Sequence, residues 1–215
     1  IGILGIVAKR FHGVLHFLMQ AKMEPGNINT LQLSPTVQAT HSNYTRVHRG
    51  GTTRYLEYFR GPDRGNVLVD VLQSEQGAWF WRKRNRNIIV EVTAEVPAHP
   101  DFHWLTLRQL RALMRLDNLV NMDARTVLSC VPLAGVGQAD TVSVSPFAAA
   151  VMLSYGACGG ADPPGLHGED QIQGWFSGMK ARNELRARLV PLAGVKGWTR
   201  TDDDIRRAGG GPFRI

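Results

Sequence analysis

From Leu15 to Met23 the odd positions Leu15, Phe17, Met19, Ala21 and Met23 are apolar. His16, Gln20, Lys22 and Glu24 alternate with them, and Leu18 is the exception. A repeat of two marks a strand with one face on a core and the other on something wet. Pro25-Gly26-Asn27 predicts a turn, and the pattern then resumes from Leu31 to Ala39. Leu31, Leu33, Val37 and Ala39 point inward; Gln32, Ser34, Thr36, Gln38 and Thr40 point outward. The outward set is amides and hydroxyls rather than lysines and glutamates. Such a lining suits a polyhydroxylated ligand, although an exposed Thr/Gln-rich sheet face accounts for it equally well.

Other elements follow by the same reasoning. Ile1 to Val7 reads as an apolar strand, Leu68 to Leu72 as a third apolar run and Ile88 to Val92 as a fourth strand. Gln73 to Arg84, carrying Trp79, Phe80 and Trp81, is expected to be helical. Thr106 and Gln109 have capping-box spacing ahead of Leu107, Leu110, Leu113 and Met114, and a short helix is expected from Asp123 to Cys130. The fold class is therefore α+β, with mostly antiparallel strands and helices later in the chain. Three zones divide the 215 residues: 1–133 with apolar periodicity, 134–170 with the Gly/Ala/Ser/Pro composition of a loosely ordered linker, and 171–215 globular again. A chain that opens on Ile1 within a strand is expected to be a piece of a longer protein.

The net charge of +7 invites a nucleic-acid reading, but the one dense basic cluster is only Arg82, Lys83, Arg84 and Arg86. That amount suits a small anion such as a diphosphate better than a duplex. No apolar run has the length of a membrane span. Cys130 and Cys158 form no CxxC pattern, so a reduced, cytoplasmic setting is expected and a structural metal site is not. His12, His48, His99 and His103 show no paired spacing, and Trp79, Trp81, Trp104 and Trp175 sit in apolar contexts suited to a core or interface.

Four long stretches carry a resemblance. Residues 20–45 read QAKMEPGNINTLQLSPTVQATHSNYT, 55–59 YLEYF, 70–87 DVLQSEQGAWFWRKRNRN and 117–130 DNLVNMDARTVLSC. In this order they resemble the NDP-hexose 2,3-dehydratases of antibiotic deoxysugar pathways. The likeness resumes at Gly174-Trp175-Phe176 and through VPLAGVKGW at 190–198. The resemblance implies a fragment of a two-repeat protein of about twice this length, each repeat a Nudix-like mixed sheet with flanking helices. Residues 1–133 would be the back part of the first repeat, 134–170 the joint and 171–215 the start of the second. It implies a homodimer acting on dTDP-4-keto-6-deoxyglucose without metal or nicotinamide. No acidic Nudix box is present near Gly65–Trp81, which disfavours diphosphate hydrolysis. A degenerate Nudix hydrolase and a non-catalytic nucleotide-sugar-binding module are the alternatives.

The implied reaction is a β-elimination. It needs a base for the C-3 proton, a donor for the enolate oxygen at C-4 and an acid for the departing C-2 hydroxyl. Lys22 and Glu24 share one strand face, roughly 6–7 Å apart along it. They are the candidate enolate stabiliser and base; a surface ion pair is the plainer account. Tyr44 and His41 are further proton-transfer candidates. By resemblance the segment with Thr40, Ser42, Asn43, Tyr44, Thr45 and Arg46 contacts the sugar nucleotide. Ser74 and Glu75 are expected to line the same cleft. Arg82, with Lys83, suits the diphosphate, although an exposed basic helix face accounts for them equally well; by resemblance Trp198 stacks on thymine, with a core tryptophan as the plainer account.

Overall fold

A computed structural model describes residues 1–24, 26–40, 53–62, 64–76, 80, 82–132, 145–156, 165–183, 190–202 and 204–210. The sheet is built around β1 (Gly2–Phe11), a strand apolar on both faces and therefore suited to a central position. It runs parallel to β6 (Arg84–Glu91) from Gly2 to Ala8. Its other edge is shared: β2 (Val14–Met23) pairs only with Ala8–Phe11, and β4 (Val37–Ala39) pairs with Ile3–Gly5. The far part of β2 pairs with β3 (Leu31–Ser34) and its middle with β7 (Phe102–Thr106). β5 (Asn66–Ser74) lies antiparallel outside β6.

β1 and β2 thus part beyond the Ala8–Phe17 pair, and the expected strand at 31–39 enters the fork as two short strands. Pro35, with no N–H for a ladder, marks the break. At the apex Thr36 Oγ1 accepts the Val7 N–H at 2.9 Å and donates to the Leu18 carbonyl. This corrects the reading of an outward polar face. Ser34 and Thr36 are buried, and Ser34 Oγ donates to the Pro35 carbonyl at 3.1 Å. Leu31 and Leu33 join one core, whereas Val37 and Ala39 join the other, because the crossing at Pro35 changes the strand partner. His16, expected on the wet face of β2, is also buried; its Nε2 accepts the Leu166 N–H at 2.9 Å.

One face of the sheet presents Ile6, Leu15, Phe17, Met19, Ile89 and Leu105 to four helices: α1 (Leu107–Leu113), α2 (Met122–Leu128), α3 (Pro146–Tyr155) and α4 (Glu169–Arg182). The opposite face packs Ile3, Val7, Ile88 and Val90 on Tyr55 and Phe59, around a 3-10 turn at Leu56–Phe59. Gly5 is needed there, since a Cβ would lie 2.5 Å from the Phe59 ring. The Thr106–Gln109 capping box opens α1 as expected.

Two sequence expectations fail locally. Residues 134–170 include α3, whose Ala150, Val151 and Ser154 are buried on the same core as β2. Ser154 Oγ donates to the Leu15 carbonyl at 2.6 Å and accepts the Leu107 N–H at 2.9 Å. Small residues that read as linker are small here because a helix lies close on a sheet. Gln73 and Ser74 belong to β5, not to a helix, since Gln73 pairs with Asn85 and Ser74 with Arg84. A separate hairpin, β8 (Trp198–Arg200) with β9 (Ile205–Arg207), closes the described chain.

Candidate functional site

Among the described residues, two hollows flank β5 and β6. The larger, about 650 Å³, is lined by Ile1, Ile3, Arg60, Asp70, Val71, Leu72 and Arg86. Its carboxylate is already committed: Asp70 accepts from Arg86 Nε at 2.6 Å and from Arg64 at 3.3 Å, and the Arg86 bond holds it below its ordinary pKa. Such a carboxylate is a poor proton carrier. The smaller, about 150 Å³, lies where the N-terminal turn of α2 crosses the opposite side of the sheet. Leu4, Gln73, Ser74, Glu75, Gln76, Asn85, Asn87, Met122, Asp123 and Thr126 line it.

The smaller cavity gathers chemistry from distant parts of the chain. The 119–121 segment runs beside β3, with Leu33 N–H on the Leu119 carbonyl at 2.8 Å and Asn121 N–H on the Leu33 carbonyl at 2.9 Å. This docking fixes the start of α2, which Asn121 Oδ1 caps by accepting the Ala124 N–H at 2.8 Å. Gln38 on β4 then bridges two carboxylates. Its Nε2 donates to Asp123 Oδ2 and, at a long 3.4 Å, to Glu24 Oε1. Asn121 Nδ2 donates to Gln38 Oε1 at 3.2 Å and to Glu24 Oε2 at 3.4 Å. Lys22 Nζ lies 3.2 Å from Glu24 Oε1. Across the cavity Glu75 Oε2 accepts from Asn85 Nδ2 at 2.6 Å and pairs with Lys83 Nζ at 2.8 Å.

Burial raises the Asp123 pKa above its ordinary value, and the nearby charges of Glu75 and Glu24 add to the rise. The bond from Gln38 and the charge of Lys22 oppose it. Glu24 and Glu75 each have a lysine within salt-bridge distance. Asn87, on β6 opposite Leu4, is fully buried, and neither its Nδ2 nor its Oδ1 has a partner among the described residues.

Ser74 and Glu75 line the cavity, whereas Lys22 and Glu24 do not line it and are linked to its Asp123 through Gln38. Arg82 sits in the turn between β5 and β6 with φ +52°, next to Lys83 and exposed. Thr40 is exposed just past β4. Trp198 is half-buried in the β8–β9 hairpin and does not line the cavity. Ser42, Asn43, Tyr44, Thr45 and Arg46, with His41, lie outside the described residues. Gln38 was expected only as part of an outward polar face, and Asp123, Asn121, Asn85 and Asn87 are not among the sequence's site candidates. One signal was available: in Arg84-Asn85-Arg86-Asn87 the period of two puts both asparagines on one face of a strand, where Asn is disfavoured unless it has work to do.

A small polar cavity lined by Glu75 and by Asp123, whose carboxyl pKa is raised by burial, is a layout suited to acid–base chemistry. The profile of the NDP-hexose 2,3-dehydratase family matches residues 1–131, and the chain belongs to that family. Over its whole length it is similar to three proteins named dTDP-4-dehydro-6-deoxy-alpha-D-glucopyranose 2,3-dehydratase. Identity is 56% to that of Saccharopolyspora spinosa, 49% to that of Streptomyces violaceoruber and 46% to that of Amycolatopsis orientalis. The chain spans 44%, 45% and 40% of those relatives' own lengths.

Proposed function

We propose that this chain supplies acid–base residues to a 2,3-dehydratase acting on dTDP-4-keto-6-deoxyglucose in deoxysugar biosynthesis. The observation that carries the reading is the Gln38 amide joining Glu24 to Asp123 beside a cavity that Ser74 and Glu75 also line. Glu24 is the base. Its carboxylate takes the C-3 proton, and the electron pair moves into the C-4 carbonyl, whose oxygen Lys22 stabilises. The pair then forms the C-2–C-3 double bond as the C-2–oxygen bond breaks. Asp123, whose environment favours retention of its proton, gives that proton to the departing oxygen, which leaves as water. Glu24 has gained one proton and Asp123 has lost one; exchange with solvent restores both. The net reaction moves no electrons to an acceptor.

The same reading places Tyr44 and the 40–46 segment against the sugar nucleotide, Arg82 at the diphosphate and Trp198 on the base. It takes the whole protein to be a cytoplasmic homodimer of Nudix-like repeats. Because α3 and α4 share one core with β1, β2, β3 and β7, we assign both helices to the first repeat.

The test is turnover of the dTDP-4-ketosugar by the full-length protein with Glu24→Gln and Asp123→Asn. General acid–base residues contribute about 10²–10⁴-fold, so each variant is expected to lose about 100-fold or more in kcat with KM nearly unchanged. A loss below tenfold in both would reject the assignment. A loss of ligand affinity with normal turnover of what is bound would identify a binding module instead.

A further inference from the structure

The buried amide of Asn87 has no evident structural use. Its neighbours Asn85 and Glu75 satisfy each other at 2.6 Å, while both polar atoms of Asn87 lack partners among the described residues. An unmatched buried amide is destabilising, and a leucine of similar size opposite Leu4 would avoid that cost. The position lies on the wall of the 150 Å³ cavity, beside Asp123 and Glu75. That volume is below the roughly 300–1,000 Å³ of ordinary ligand pockets. It suits a single ring and leaves no room for a nucleotide beside it.

We propose that Asn87 is a sugar-specificity residue: its amide, one donor group and one acceptor, bonds hydroxyl or carbonyl oxygens of the hexose ring seated in this cavity, while the nucleotide stays outside. The inference rests on the function proposed above and assigns the ring's position within that site. An amide can donate to a ketone or ether oxygen and accept from a hydroxyl. It therefore reads a ring that carries both without adding charge between Glu75 and Asp123.

The experiment measures binding of dTDP and of dTDP-glucose to the full-length protein by calorimetry, with Asn87→Leu and Asn87→Ala alongside the unaltered protein. The expected result is a tenfold or greater loss of dTDP-glucose affinity in both variants, with dTDP affinity unchanged and no fall in the unfolding midpoint of Asn87→Leu. Unchanged dTDP-glucose affinity would overturn the proposal, and would mean that only water occupies the amide. Equal losses for both ligands, or a large destabilisation in both variants, would overturn it by showing a structural role. If the unaltered protein binds neither ligand, the dehydratase reading itself fails, which is a distinct outcome.

Discussion

The hydroxyl of Thr36 serves two strands at the point where they separate, accepting from Val7 and donating to Leu18. Thr36→Val keeps the volume and removes both bonds. The expected cost is about 1–3 kcal/mol, because buried backbone groups lose their partners. Thr36→Ser should retain most of the stability, and urea unfolding of the two variants checks this. The pairing of Lys22 with Glu24 was legible in the sequence because spacing along a strand fixes side-chain direction. Asp123 was not, since its significance comes from Gln38, 85 residues away. Its proton affinity also depends on Glu75. Glu75→Gln removes a charge that raises the Asp123 pKa, so the alkaline limb of the kcat/KM profile should move to lower pH. A limb that stays put or moves upward would contradict Asp123 as the acid.

At the level of elements, the capping box of α1 was readable because it is a local rule about four residues. Thr106 Oγ1 accepts the Gln109 N–H at 3.2 Å, and Gln109 Oε1 accepts the Thr106 N–H at 3.0 Å. Thr106→Ala should cost about 0.5–2 kcal/mol, measured as a fall in the urea midpoint; Thr106→Ser should be close to neutral. The division of residues 31–39 was not readable by periodicity alone. Leu31, Leu33, Val37 and Ala39 keep the same parity across Pro35, yet the segment leaves β2 for β1 there. Parity assigns a face only while the partner strand stays the same. β5 was misjudged for a related reason. Its exposed Leu72, Gln73 and Ser74 lie at a sheet edge, where burial writes little pattern into the sequence.

For the molecule as a whole, folding lowers the pKa of three histidines, His16, His103 and His167. His103 stacks on Trp175 with ring centroids 4.7 Å apart and lies 4.0 Å from the His167 ring. Burial, and then the proximity of His167, bring its pKa down to about 4. Burial also lowers His16 and His167. The unfolded chain binds protons on these groups from about pH 6.5 downward, whereas folded His103 does not until about pH 4. Stability should therefore fall as pH drops below about 6.5, and the His103 share of that fall should end near pH 4. Urea midpoints at pH 7.5 and 5 check the direction, and His103→Gln should flatten the dependence.

The bond from Ser154 to Leu15 spans 139 positions of the chain. At a synthesis rate of about 5–20 residues per second, those 139 positions take roughly 7–28 s to make. For that interval β2 has emerged from the ribosome while the helix that covers it does not yet exist. The apolar side formed by Leu15, Phe17 and Met19 is then open to chaperones or to neighbouring nascent chains. The demands on this protein are set partly by that delay, and a slower codon run before residue 146 would lengthen it.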